Sequence, residues 1–338
     1  MNIRRTLSKN WFLIGVLLAV ITSLTAPELG VSINYKGLSS TILVVLLFFV
    51  SGLSLPTESI RSGLSNVKLH LFLQLFIFAV IPLYFLGTTV LLKKNLDPLL
   101  LTGILALSVL PTTVSSCIVF TQSAGGNVVA TMFNASLANV VGVILSPLLL
   151  SLLLQQTGQT MESGELIRIL LSLVLKMLLP IFIGQFVRIQ IRERIQPFKK
   201  AMGTFGNIVI LIIIWFSFSQ PALDPSFISF LAKLWPLFIY LLLSHFVLLG
   251  LTLAGTRLLK LNKANTYTSL FVAPQKTLAM GAPLLTTYFT NDPSLIGIAL
   301  LPLIFYHFCQ LLIAGLIPRF INRLNEKKMT PVNKFRTF

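Results

Sequence analysis

Two short polar stretches in an otherwise apolar chain hold the residues able to do chemistry. The first reads Val109-Leu110-Pro111-Thr112-Thr113-Val114-Ser115-Ser116-Cys117. The second reads Ala273-Pro274-Gln275-Lys276-Thr277-Leu278-Ala279-Met280-Gly281-Ala282-Pro283. Lys276 is the conspicuous charge. A lysine at the centre of an apolar span costs on the order of 2.5–3.5 kcal/mol to insert, so it faces a cavity or a partner. It lies between Pro274 and Pro283, where a helix must lose backbone hydrogen bonds. Carbonyls freed there can stabilise the ammonium, or the ammonium can attract an anionic substrate. A lysine held by helix-end carbonyls with no further role is the competing reading.

In the first stretch Thr112, Thr113, Ser115 and Ser116 crowd around Cys117. Hydroxyls of this kind replace lost backbone partners, and they also bind ions or substrate oxygens. Asn134 and Ser136 on the next apolar segment, Gln74 on an earlier one, and Gln275 and Thr277 beside Lys276 complete the candidate set. Hydrogen bonding between helices is the default role for Asn134, Ser136 and Asn139. Lys176 reads as snorkelling or as lying between helices. His245 and His307 read as satisfied histidines within apolar segments.

Catalysis has little material. All nine acidic residues fall in predicted loops or near predicted helix ends, so a carboxylate relay or a buried acidic cation site is not supplied. Cys117 has no neighbouring His or carboxylate in sequence, and Cys117 and Cys309 give no zinc or disulfide spacing. The chain does not read as an enzyme, and no cofactor is implied beyond a candidate coupling ion.

The elements that position these residues follow from composition. Hydrophobic residues make up 55% of the 338 and charged residues 10%, against about 25% charged in soluble domains. Apolar runs long enough to cross a bilayer recur throughout, which predicts an all-α polytopic membrane protein. Ten helices are expected, near 10–26, 38–56, 68–92, 98–122, 127–155, 165–188, 200–219, 229–258, 264–288 and 293–320. The stretch around Arg4, Arg5 and Lys9 before Trp11 reads as the start of a retained first helix, not a cleaved signal.

The formal charge of +17 sits in short clusters between apolar runs, with no basic aromatic surface for nucleic acid. With the N-terminus inside, cytoplasmic segments hold about 19 basic residues and outer segments about five. The outer ones are Lys36, Lys93, Lys94, Arg168 and Lys233. Both termini are therefore expected in the cytoplasm, with a bacterial inner membrane as the setting.

Each polar stretch falls in the fourth apolar segment of a five-segment half. An odd number of spans per half inverts the second half, giving an inverted repeat whose broken helices meet at the membrane midplane. The halves are expected at 1–160 and 161–323, joined near 155–164, with a basic tail at 324–338. Small residues Gly142, Gly250, Gly297 and Gly315 suit close helix packing.

Several motifs resemble a known family. Ser51-Gly52-Leu53-Ser54-Leu55 resembles the Gly-Leu-x-Leu turn of the bile acid:sodium symporter superfamily. The Pro111 stretch followed by Ala124-Gly125-Gly126-Asn127 is similar to its fourth helix and the turn into the fifth. Ser146-Pro147-Leu148-Leu149 and Gln275 match further positions, and the whole looks most like the SBF-like branch, to about Arg323. The resemblance implies a panel of helices 1, 2, 6 and 7 and a core of helices 3–5 and 8–10. It implies discontinuous helices 4 and 9 crossing at the midplane, and sodium-coupled uptake of organic anions.

The departures from the family pattern are specific. The ninth-helix Glu is absent from Leu270 to Lys276, and Lys276 stands where the family has Asn. The Ser-Asn pair of helix 4 falls on Ser116-Cys117. Sodium prefers oxygen ligands and is repelled by an ammonium. What remains of the sodium site is Ser116, Asn134 and Gln275, and Lys276 reads as standing in for the cation, its proton loss a means of coupling to protons.

These readings converge on a secondary transporter of a small organic anion, working by alternating access and coupled to sodium or protons. The alternative is a non-transporting membrane regulator of ion homeostasis acting through partner proteins. The bilayer and the anion are the expected partners, and the sequence does not specify an oligomeric state.

Overall fold

The computed structural model describes residues 3–54, 66–92, 96–156 and 163–329, and all regular structure in them is helical. The joint expected near 155–164, the tail from residue 330, and Arg61, Lys93 and Lys94 of the charge count lie wholly or largely outside the described residues.

The first half holds α1 (Ile3–Thr25), α2 (Pro27–Ile33), α3 (Leu38–Ser54), α4 (Val67–Leu75), α5 (Ile81–Leu92), α6 (Pro98–Val109), α7 (Ser115–Ser123) and α8 (Val128–Gln156). The second holds α9 (Ser163–Leu173), α10 (Leu179–Ile195), α11 (Lys199–Ser219), α12 (Ser226–Ala232), α13 (Trp235–Leu258), α14 (Lys263–Val272), α15 (Leu278–Tyr288) and α16 (Ile296–Met329). Single π turns, Phe76–Val80 and Val174–Leu178, join α4 to α5 and α9 to α10.

Among the described residues, seven helical stretches are long and apolar enough to cross a membrane, from Tyr35–Ser54 to Pro293–Ile321. An eighth results if α1 and α2, bent by 99°, form one span. The protein is an all-α polytopic membrane protein. The bend follows from Pro27, which has no N–H to continue α1 and occupies the first turn of α2.

The expected spans 98–122 and 264–288 are each divided. Asp97 caps α6 by accepting from Leu99 N at 2.7 Å, and α6 stops at Val109, before Pro111. Asn262 caps α14 through Asn265 N, and α14 stops at Val272, before Pro274. Thr277 then caps α15. The expected helix 229–258 is also two pieces, α12 and α13, parted at Lys233 and Leu234.

Close backbone approach organises the packing. A Cβ on Gly52 would lie 2.4 Å from the Ile181 carbonyl, and one on Gly184 would lie 2.3 Å from the Phe49 carbonyl, so α3 and α10 touch main chain to main chain. Gly142 lies against Pro111, and Gly297 against the Ser217 carbonyl and Pro221. Gly250 and Gly315 correct the expectation. A Cβ at either would meet nothing within 4 Å, so neither mediates packing within the chain.

Candidate functional site

The two breaks meet. Thr277 N donates to the Pro111 carbonyl at 3.0 Å, joining the second break to the first by main chain. Around this bond the carbonyls released by the prolines are accounted for one by one, as burial demands. Leu107 O accepts from Leu110 N, Val109 O from the Ser146 hydroxyl at 2.7 Å, and Thr112 O from the Asn139 amide at 2.9 Å. Ser108 O and Leu110 O both accept from Lys276 Nζ, at 2.8 and 2.7 Å.

The third ammonium bond goes to Ile77 O, at 3.1 Å. Its carbonyl is free for a local reason. In the π turn Ile81 N bonds back to Phe76 O, so the next donor in that register would be Pro82, which has no N–H. Lys276 is 2% exposed, and its three carbonyls saturate an ammonium's three donors. One side chain of the second half thereby ties together two segments of the first.

The second break is held from α16. Gln310 Oε1 accepts from Lys276 N at 2.7 Å, and Gln310 Nε2 donates to Lys276 O at 2.8 Å. The Tyr306 hydroxyl donates to Pro274 O at 2.7 Å and lies 3.0 Å from His245 Nδ1. On the other side, Thr113 Oγ1 donates to Gln275 Oε1 at 2.6 Å. The Cys117 thiol lies 3.0 Å from Phe271 O, 3.3 Å from Gln275 Oε1, and within 3.3 Å of the Thr112 and Thr113 hydroxyls.

The structure therefore brings Thr112, Thr113, Cys117, Gln275, Lys276 and Thr277 together. Ser115 and Ser116 open α7 beside them, Ser115 being exposed. Asn134 and Gln74 form a second group. Asn134 Nδ2 bonds His70 Nδ1 at 2.9 Å and Ala130 O, and Gln74 Nε2 donates to Asn134 O at 3.2 Å. Ser136 is buried on the same helix, α8. Two buried polar atoms stay without a partner here, Gln275 Nε2 and Gln74 Oε1.

The residues expected to keep a sodium site divide between the two groups, Ser116 and Gln275 at the breaks and Asn134 with His70 and Gln74. No hydrogen bond joins Ser116, Asn134 and Gln275, and Gln275 Oε1 already accepts from Thr113. The cationic position is filled by an ammonium, and no three of His, Cys, Asp and Glu converge on a metal position among the described residues.

Sequence reasoning missed Gln310, Tyr306 and the Ile77 carbonyl, whereas Asn139 makes the hydrogen bond between segments that was expected of it. Gln310 had a readable signal, an amide in an apolar run, the same signal that marked Gln74. Lys176 reaches across helices, donating to Thr290 Oγ1 at 3.0 Å.

The turn that carries α7 into α8 is fixed to α14. Asn127 N donates to Thr268 Oγ1, and Thr268 Oγ1 to Asn127 O, both at 3.0 Å. Gly125, at φ +71°, supplies the left-handed residue that ends α7.

A polytopic helical protein whose two proline-broken helices lock together at a buried polar centre has the build of a membrane transporter. The model of the SBF-like CPA transporter family matches residues 10–323. The chain belongs to that family. It is 31% identical over 325 residues to sodium/bile acid cotransporter 7-A of Xenopus laevis, covering 94% of this chain and 93% of that one. Sodium/bile acid cotransporter 7 of Rattus norvegicus is 30% identical over 328 residues, with 94% of each covered. An uncharacterised protein of Pseudomonas aeruginosa is 32% identical over 286 residues, covering 83% of this chain and 84% of that one. The protein is thus a multi-pass membrane transporter of the bile acid:sodium symporter type.

Proposed function

We propose that the protein is a secondary transporter of a small organic anion that works by alternating access. The observation that carries this reading is the crossover itself, in which Thr277 N meets Pro111 O between two interrupted helices. Irregular main chain at depth is tolerated where protein or a water-filled cavity surrounds it.

Ten spans are counted as α1–α2, α3, α4–α5, α6–α7, α8, α9–α10, α11, α13, α14–α15 and α16. They form inverted repeats at 1–160 and 161–323, with both termini cytoplasmic in a bacterial inner membrane. Spans 1, 2, 6 and 7 make the panel, and the other six the core. The main-chain contact of α3 with α10 supports a rigid panel. The contact of Gly103 with the Ala299 carbonyl supports a rigid core.

At the end carrying residues 34–37, 217–221 and 290–297, panel and core touch around a cavity of about 350 Å³ lined by Asn34, Lys36, Ser217, Gln220 and Asp292. There Gly297 abuts Ser217 and Pro221, a Cβ on Gly37 would lie 3.3 Å from Pro293, and Lys176 bonds Thr290. At the other end α7 exposes Ser115, Val119 and Gln122. The panel–core contacts at the first end, with exposed polar residues on α7 at the other, support an inward-facing state with α7 lining the path.

Anionic substrate suits the donors present. Gln275 Nε2 is a buried, unpartnered donor, and the first N–H groups of α7 are unpaired within their helix. Ser115, Ser116 and Gln275 are the proposed contacts.

The test is uptake of labelled organic anions into liposomes holding only this protein, under separately imposed sodium and proton gradients. Concentrative uptake driven by either gradient is the expected result. No flux for any anion under either gradient would overturn the reading in favour of a regulator acting through partner proteins.

A further inference from the structure

We infer that the Lys276 ammonium is a built-in cation, permanently seated at the crossover, so that the two broken helices are held together without sodium. The inference concerns the crossover on which the transport reading rests. Its test reads ion binding and stability, not flux, so either idea can fail alone.

Three features carry it. The first is the ligand set. Nζ lies 2.7–3.1 Å from the carbonyls of Leu110, Ser108 and Ile77. Three acceptors around one nitrogen require three N–H groups, hence the charged form. A ring of main-chain carbonyls is also how proteins replace the water shell of a monovalent metal ion.

The second feature is connectivity. The three carbonyls come from the π turn after α4, the end of α6 and the first break, while the lysine comes from the second break. A bound metal ion would draw the same three segments together, but it would leave when its concentration fell. A tethered ammonium cannot diffuse away.

The third feature is exclusion. A second monovalent cation about 4 Å from Nζ would bind roughly a thousandfold more weakly through charge repulsion alone at an effective dielectric near 20. No carboxylate lies in either break to offset that repulsion. The thiol of Cys117, a poor ligand for a hard cation, is packed against the Thr112 and Thr113 hydroxyls.

The test is thermal melting of the purified protein in detergent. Wild type is titrated with sodium chloride against N-methylglucamine chloride at equal ionic strength. The two titrations are expected to coincide. Lys276→Met, of similar length but uncharged, is expected to melt lower by at least about 5 °C. Lys276→Ala should also melt lower and regain stability, saturably, with added propylammonium, which fills the emptied ring. A saturable, sodium-specific rise in the wild type would overturn the inference, as would Lys276→Met melting like the wild type. If neither variant can be purified, the wild-type titration still decides.

Discussion

Gln310 holds Lys276 from both sides of its own main chain, taking the N–H at 2.7 Å and giving to the carbonyl at 2.8 Å. This is the pairing a neighbouring strand would offer, supplied here by one side-chain amide. The other N–H of Nε2 meets His307 Nδ1 at 2.8 Å, which requires the imidazole to accept there and to carry its proton on Nε2. The lysine's direction at the crossover is thus set from α16.

Removing that grip should be costly. Gln310→Leu leaves a buried N–H and a buried carbonyl unpaired, at about 1–3 kcal/mol each. A stability loss of about 2–6 kcal/mol in melting experiments and a fall in flux are expected. A variant that melts and transports like wild type would show that Gln310 merely fills space.

Both native cysteines, Cys117 and Cys309, are buried. The wild type should therefore react slowly with maleimides. Ser115→Cys, placed on the exposed start of α7, should label at least about tenfold faster, since access governs the rate. In oriented vesicles the labelling should come from the cytoplasmic side. Labelling from the outer side alone would reverse the proposed state.

Two glycines separate packing from mere helix composition. A Cβ on Gly281 would lie 2.4 Å from Leu303 Cδ2 and 2.7 Å from Leu110 Cδ1. Gly281→Val should therefore destabilise the crossover by about 1–3 kcal/mol through overpacking. Gly250, with open space around it, should accept Ala and gain about 0.5–1 kcal/mol of helix stability. Equal melting shifts of the same sign at both sites would refute this assignment of contacts.

Gly297 offers a way to bias the cycle. A Cβ there would lie 2.5 Å from the Ser217 carbonyl and 2.7 Å from Pro221 Cγ. Gly297→Val should wedge panel and core apart at this end and slow transport. In a Gly297→Val, Ser115→Cys double variant, labelling should then appear from the outer side. Unchanged sidedness would place the hinge elsewhere.

The breaks were legible in the sequence because proline is unambiguous. Pro111 and Pro274 can give no N–H, and α6 and α14 end just before them. Lys276 was legible because a charge in an apolar run must be answered. What answered it was not legible, since main-chain carbonyls belong to every residue. The release of Ile77 O depends on a π register that shares its turn with Pro82, a coincidence of geometry and not of residue type. The expected end of helix 1 at residue 26 agrees with α1 stopping at Thr25, before Pro27, but the short α2 beyond the bend was not foreseen. Gly250 and Gly142 look alike as letters, and only the neighbour differs. Gln310 was overlooked because the apolar run around it drew attention to length instead of to its one amide.

The stitched carbonyls of residues 107–112 have an electrical consequence. Bare carbonyls in single file are what strip hydrated cations and let them conduct. Here each of the six is already engaged by a donor of the chain itself. A dehydrated ion has no ladder to climb, so bilayers containing the protein should carry no unitary currents.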